Sequence, residues 1–172
     1  MNGRTGYVAA VTTSTGARSF GVRGAAFVVI GGTFVVLAIV GLSWYAVEGS
    51  ADTAGSGFTF ADLKANADQL GAPIASAYFD WLAWALLVAA VLVGFAATLP
   101  TKAADVLRVL GFLLGVVGAV ATIYALAQLF NAQRAAGGSD HGVWHNSTLG
   151  TWAALVGFLL TGIGAVLGPN RA

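Results

Sequence analysis

His141 and His145 stand four residues apart with Asp140 beside them. On a helix this spacing would put two imidazoles on one face, as in many zinc sites. Such sites need three or more protein ligands, and Gly137 and Gly138 argue against a helix here. No metal centre is therefore expected. Asp80, beside Trp81 at an apolar boundary, reads as a charge at a helix N-terminus, where the dipole favours it. There is no cysteine, which excludes disulfides, thiolate metal sites and thiol catalysis. A hydrolase needs a nucleophile with a base beside it, and the two histidines share one short segment. Asn146-Ser147-Thr148 spells a glycosylation sequon, but at a membrane boundary it reads as a helix start capped by Ser147 or Thr148. The expectation is a protein without catalytic residues, metal or cofactor.

The elements that carry these residues are membrane spans. Four runs, Ala25–Val47, Trp81–Leu99, Val109–Phe130 and Leu149–Leu167, contain no Asp, Glu, Lys, Arg or His. A helix needs about 20 apolar residues to cross a bilayer core. Across 172 residues, 58% are hydrophobic and 9% charged, and the mean hydropathy is +0.82. These values exclude a soluble domain. The reading is an all-α membrane protein, a four-transmembrane-helix bundle with a short outer amphipathic helix. A flexible tail covers 1–23, with Asn2–Ser19 expected to be disordered. The transmembrane domain covers 24–168, with spans near 25–47, 79–99, 104–130 and 148–168, and 169–172 forms the end. Haem ligation needs axial side chains at depth, and transport and proton relays need polar ones; the spans offer only mild groups such as Thr33, Thr122 and Thr161. No basic tract suggests nucleic acid.

Four spans put both termini on one side. Arg4, Arg18, Arg23, Lys102, Arg108 and Arg171 lie there against Asp105 alone. The opposite side carries Lys64 and Arg134 against Glu48, Asp52, Asp62, Asp68, Asp80 and Asp140. Basic residues mark the cytoplasmic side, so the expected location is the plasma membrane with both termini cytoplasmic. Trp44, Tyr45, Tyr78, Phe79, Trp81, Trp84, Trp144 and Trp152 would form a one-sided aromatic belt at the outer boundary. Pro100 stops the second span, and Thr101 is placed to cap the third.

The outer segment 49–78 changes pattern after Gly57. Thr59 is an N-cap candidate, with Asp62 three residues on as a shortened capping box and Phe58 and Leu63 in staple positions. Phe60, Leu63, Ala67 and Leu70 form one apolar face, and Gly71 and Pro73 end the element. The spacing predicts an amphipathic helix over 60–70. Its apolar face has two readings: a cover for the bundle, or a docking surface for a partner.

In lipid, helices associate through close contact of small residues. The third span carries Gly111, Gly115, Gly118, Thr122 and Ala125, and the fourth carries Gly150, Ala154, Gly157, Thr161, Gly164 and Gly168. Steps of four and three place each set on one seam. These stripes are expected to face each other or the first helix. Leu113, Leu114, Phe158 and Leu159 are expected on the opposite, lipid-facing or partner-facing sides. Tyr124 and Gln128 are candidates for hydrogen bonds between helices.

With its longer first outer segment and Gly41-Leu42-Ser43-Trp44, the layout resembles the claudin and tetraspan plan, but without that family's paired cysteines. Trp44-Tyr45, Phe60-Ala61-Asp62-Leu63, Tyr78-Phe79-Asp80-Trp81-Leu82-Ala83-Trp84 and the Gly-rich last span resemble small four-span membrane proteins of actinobacteria. That resemblance implies a non-enzymatic accessory subunit, bound to membrane lipids and to a larger complex. Mce-type lipid importers are the first choice of complex and the respiratory supercomplex the second. The alternatives are self-association as a claudin-like membrane organiser, and lipid binding between the outer helix and the bundle. The charge split predicts that Ser56→Cys reacts with an impermeant thiol reagent added outside cells and Ser14→Cys does not. The reverse pattern would invert the assignment.

Overall fold

The computed structural model describes residues 18–47, 56–137 and 144–171. Asp140, His141 and most of the N-terminal tail lie outside the described residues. The fold is an all-α bundle and, among the described residues, four helical segments are long and apolar enough to cross a membrane. The first is α1, Val22–Gly41. The second is one continuous stretch, Pro73–Ala97. It comprises α3 (Pro73–Ala77), a π-helical turn (Tyr78–Leu82) and α4 (Ala83–Ala97). The third and fourth are α5 (Ala104–Ala135) and α6 (Leu149–Leu167). A shorter helix, α2, spans Phe60–Gln69.

Two short antiparallel ribbons join the ends. β1 (Arg18–Ser19) pairs with β4 (Asn170–Arg171), so both ends of the described chain meet at one end of the bundle. Arg18 and Ser19, expected in a disordered tail, are thus extended and paired. β2 (Tyr45–Val47) pairs with β3 (Ser56–Phe58) at the other end, with Tyr45 opposite Phe58. The first helix therefore stops at Gly41, and the apolar residues up to Val47 leave it as extended chain. Apolar character alone does not separate a helical span from a β-ribbon that continues it.

α6 is the most buried of the four spans and packs with two faces. One face meets α1, running antiparallel. A Cβ on Gly31 would stand 2.5 Å from the Gly157 carbonyl oxygen, and one on Gly157 2.6 Å from that of Gly31. Gly24 and Gly164 repeat this reciprocal relation at 2.7 Å each way. Bare backbones thus touch at two levels one heptad apart, with Val28 packed on Gly164 and Val35 on Gly157. The α6 stripe therefore faces α1, along a seam of Gly24, Val28, Gly31, Val35 and Ala38.

The other face of α6 meets α5. Gly115 faces the Phe158 carbonyl and Gly162, Gly118 lies against the Phe158 ring, and Gly111 faces Ala165 and Gly94. Phe158 is thus fully buried, not lipid-facing. It lies in the notch left by Gly118, where any side chain would collide. Leu114 is half-buried, whereas Leu113 and Leu159 are exposed to the lipid side. Gly168 ends α6 with φ +51 under the Arg108 side chain, whose Nη2 donates to the Pro169 carbonyl at 3.3 Å. Gly168 thus terminates the helix, with a cation suited to the helix C-terminus, and also packs against Gly21 and Gly24 at the start of α1. α5 starts without a side-chain cap, and Thr101 contributes its carbonyl to the Ala104 N–H instead. Thr122 and Thr161 donate to the carbonyls four residues back, Gly118 and Gly157, so each hydroxyl proton is used within its own helix.

Placing leucine at Gly31, Gly115 or Gly157 forces backbones apart and is expected to cost about 1–3 kcal/mol or more. Leu113→Ala and Leu159→Ala, on exposed faces, should be much milder. Thermal unfolding in detergent measures the difference, and equal shifts across both sets would contradict the packing.

Candidate functional site

A group of aromatic and polar side chains lies at the α2 end of the bundle, and its geometry begins with Trp44. After Gly41 the chain turns extended at Leu42, and Trp44 folds back beneath the end of α1. Its indole N–H donates to the Ala38 carbonyl at 2.6 Å, one of the acceptors a helix leaves open at its C-terminus. The ring lies 5.3 Å from Phe60 and 5.7 Å from Phe79, and Tyr78 completes a buried cluster through Phe79 at 5.3 Å. The edge-to-face pairs at Phe79 suit the ring quadrupoles. The expected outer belt is therefore divided. Trp44, Tyr78 and Phe79 belong to the core and Tyr45 is half-buried, while Trp81, Trp84, Trp144 and Trp152 remain exposed.

The backbone around Trp44 ties three elements. Its N–H donates to Phe58 at 2.8 Å, and its carbonyl accepts from the Thr148 N–H at 3.1 Å and the Thr151 hydroxyl at 2.8 Å. The Ser43 carbonyl accepts from the Gly150 N–H at 2.8 Å and from the Thr148 hydroxyl. Thr148 does stand at the N-cap of α6, but its hydroxyl donates to Ser43 instead of accepting from the helix. Carbonyls from another segment satisfy the α6 start, a solution local sequence does not reveal. Asn146 donates to the Tyr45 hydroxyl at 3.1 Å and its carbonyl accepts from the Ala46 N–H, so the sequon is part of this junction.

α2 starts as its sequence dictates. The Thr59 hydroxyl accepts from the Asp62 N–H, and the Asp62 carboxylate accepts from the Thr59 hydroxyl at 2.7 Å and N–H at 2.8 Å. The Thr59 hydroxyl, then its N–H, hold the Asp62 carboxyl below its ordinary pKa. Because the folded value is the lower one, the cap is complete above the ordinary carboxylate range and weakens as pH falls through the folded value. Gly71, with φ +63, follows the last turn. Phe60, Leu63 and Ala67 are buried and Phe58 and Leu70 partly so, all against the chain's own core. The apolar face considered for docking is thus turned inward, and α2 presents Asp62, Asp68 and Gln69 outward.

Three polar groups link the spans at this end. Gln128 Oε1 accepts from the Ala75 N–H at 2.8 Å, serving an open donor in the first turn of α3. The hydroxyls of Tyr78 and Thr122 meet at 2.5 Å. Tyr124 is exposed on α5. Asp80 is not at a helix start, because the helical stretch begins at Pro73; it lies in the π-helical turn, paired with Lys64 at 3.3 Å. Between α2 and this turn lies a cleft of about 540 Å³, lined by Asp68, Pro73, Ser76, Asp80 and Trp81 among others. The Ser76 hydroxyl donates to Asp68. Among the described residues, no group of three or more His, Cys, Asp or Glu is placed to hold a metal ion.

The fold defines a multi-span, four-helix membrane protein. Compared with protein-family models, curated proteins and solved structures, the chain matches none.

Trp44→Phe keeps the ring but strands the Ala38 carbonyl, and is expected to cost about 1–3 kcal/mol. Thermal unfolding checks it, and an unchanged midpoint would mean that this hydrogen bond does not hold the junction.

Proposed function

We propose that the protein is a non-enzymatic accessory subunit that docks on and stabilises a larger membrane complex. The observation behind this reading is where the bundle leaves apolar surface. The glycine faces of α1, α5 and α6 are consumed in its own packing, while Val106, Val109, Leu113, Val117 and Val120 form an exposed stripe down α5. A helix of another membrane protein has this face to pack on, with the polar side of α2 beside the span ends. The resemblance to actinobacterial four-span proteins favours an Mce-type lipid import complex, with the respiratory supercomplex second. In a self-associating, claudin-like organiser, a second copy would occupy the same face.

Native purification from the source membrane, followed by mass spectrometry, tests the reading. A stoichiometric larger partner is expected, and the double replacement of Leu113→Ser with Val117→Ser, on the exposed stripe, should release it. Recovery of a pure homo-oligomer would overturn the accessory-subunit reading.

A further inference from the structure

The four spans form a ring in sequence order, and its most weakly packed seam lies between α1 and α4. A groove of about 530 Å³ opens there, lined by Val29, Gly32, Thr33, Trp84, Val88 and Leu92 among others. Gly32 lets Val91 pack closely at the floor, and the Thr33 hydroxyl donates to the Val29 carbonyl at 2.8 Å, so apart from the Trp84 indole the lining is apolar. A hydrocarbon suits it. Above it stands the separate polar cleft under α2. Trp81, Trp84, Val88 and Leu92 follow one another at three and four residues, so one face of the second span runs from cleft to groove.

The cleft has a charge preference. Asp68 and Asp80 line it, Trp81 exposes 58% of its surface at its edge, and Lys64 pairs with Asp80 from α2. Two carboxylates and an aromatic ring receive an ammonium group, and the ring face adds cation–π attraction. The Lys64 cation beside them suits a phosphate. With Lys64 paired to Asp80 the group keeps one net negative charge, which an anionic head without an amine would meet uncompensated.

We propose that this face binds a phospholipid with a cationic amine head. The ammonium lies between Asp68, Asp80 and Trp81, the phosphate lies toward Lys64, and an acyl chain fills the α1–α4 groove. Charge complementarity above and an apolar trough below, on one helix face, select an amphipathic molecule of this polarity. The proposal gives a site to lipid binding and stands whether or not a larger complex is recovered.

The test reconstitutes the full chain in nanodiscs of equimolar phosphatidylethanolamine and phosphatidylglycerol, extracts it in mild detergent and measures retained lipid by mass spectrometry. Phosphatidylethanolamine should be retained in about fivefold excess, the scale of one exposed charge contact. Asp68→Asn with Asp80→Asn should bring the ratio toward that of the bilayer. Trp81→Leu, at an exposed position, is the second variant if the first fails to fold, and should also lower the excess. Val88→Trp, which fills the groove, should reduce retention of both lipids. Equal retention of the two lipids by the unaltered protein would overturn the proposal. So would a preference unchanged in Trp81→Leu and in the folded double variant, retention unchanged in Val88→Trp, or displacement by soluble phosphoethanolamine, which would point to a headgroup site without a lipid chain.

Discussion

Gly31 and Gly157, and Gly24 and Gly164, bring two membrane-crossing backbones into direct contact, and the remaining architecture is arranged around that approach. Lipid tails are as apolar as leucine, so burial alone gives helices in a bilayer little reason to associate. Close backbone approach supplies dispersion and Cα–H···O contacts that lipid cannot match. The antiparallel register makes each glycine the partner of the other's carbonyl. It also brings the end of α1 to the start of α6, where the Ser43 and Trp44 carbonyls meet the open N–H groups of that helix.

From this seam the division of labour among helices follows. α6 uses one face for α1 and the other for α5, so its glycines and Phe158 are both interior. The second span is left with the smallest buried share and lies beside α1 with a groove between them. Polar chemistry is withdrawn to the bundle ends, because the threonines at depth donate to their own helices. At the α2 end the indole of Trp44, the amide of Gln128 and the Asp62 carboxylate each complete backbone hydrogen bonding that a helix terminus leaves open.

Much of this was legible in the sequence because it is governed by local pattern. Long uncharged runs give the spans, Thr59 and Asp62 give the start of α2, and Gly71 gives its end. The small stripes of α5 and α6 were visible, but not which faces they meet. The α1 partner stripe was hidden because valines alternate with its small residues, in Gly24, Val28, Gly31, Val35 and Ala38. Phe158 and Trp44 depart from the sequence pattern for a different reason. An aromatic ring looks the same in sequence whether it faces lipid or fills a notch, and only the glycine opposite it decides. The β2–β3 and β1–β4 ribbons are pairings between distant segments, which periodicity within one segment does not reveal.

The central claim is the reciprocal glycine contact between α1 and α6. Solid-state NMR of protein labelled with ¹³C at glycine, in lipid bilayers, reads it without altering a side chain. Short-range cross-peaks joining Gly31 to Gly157 and Gly24 to Gly164 are the predicted result. Their absence, with contacts from Gly157 and Gly164 to glycines of α5 in their place, would contradict the account.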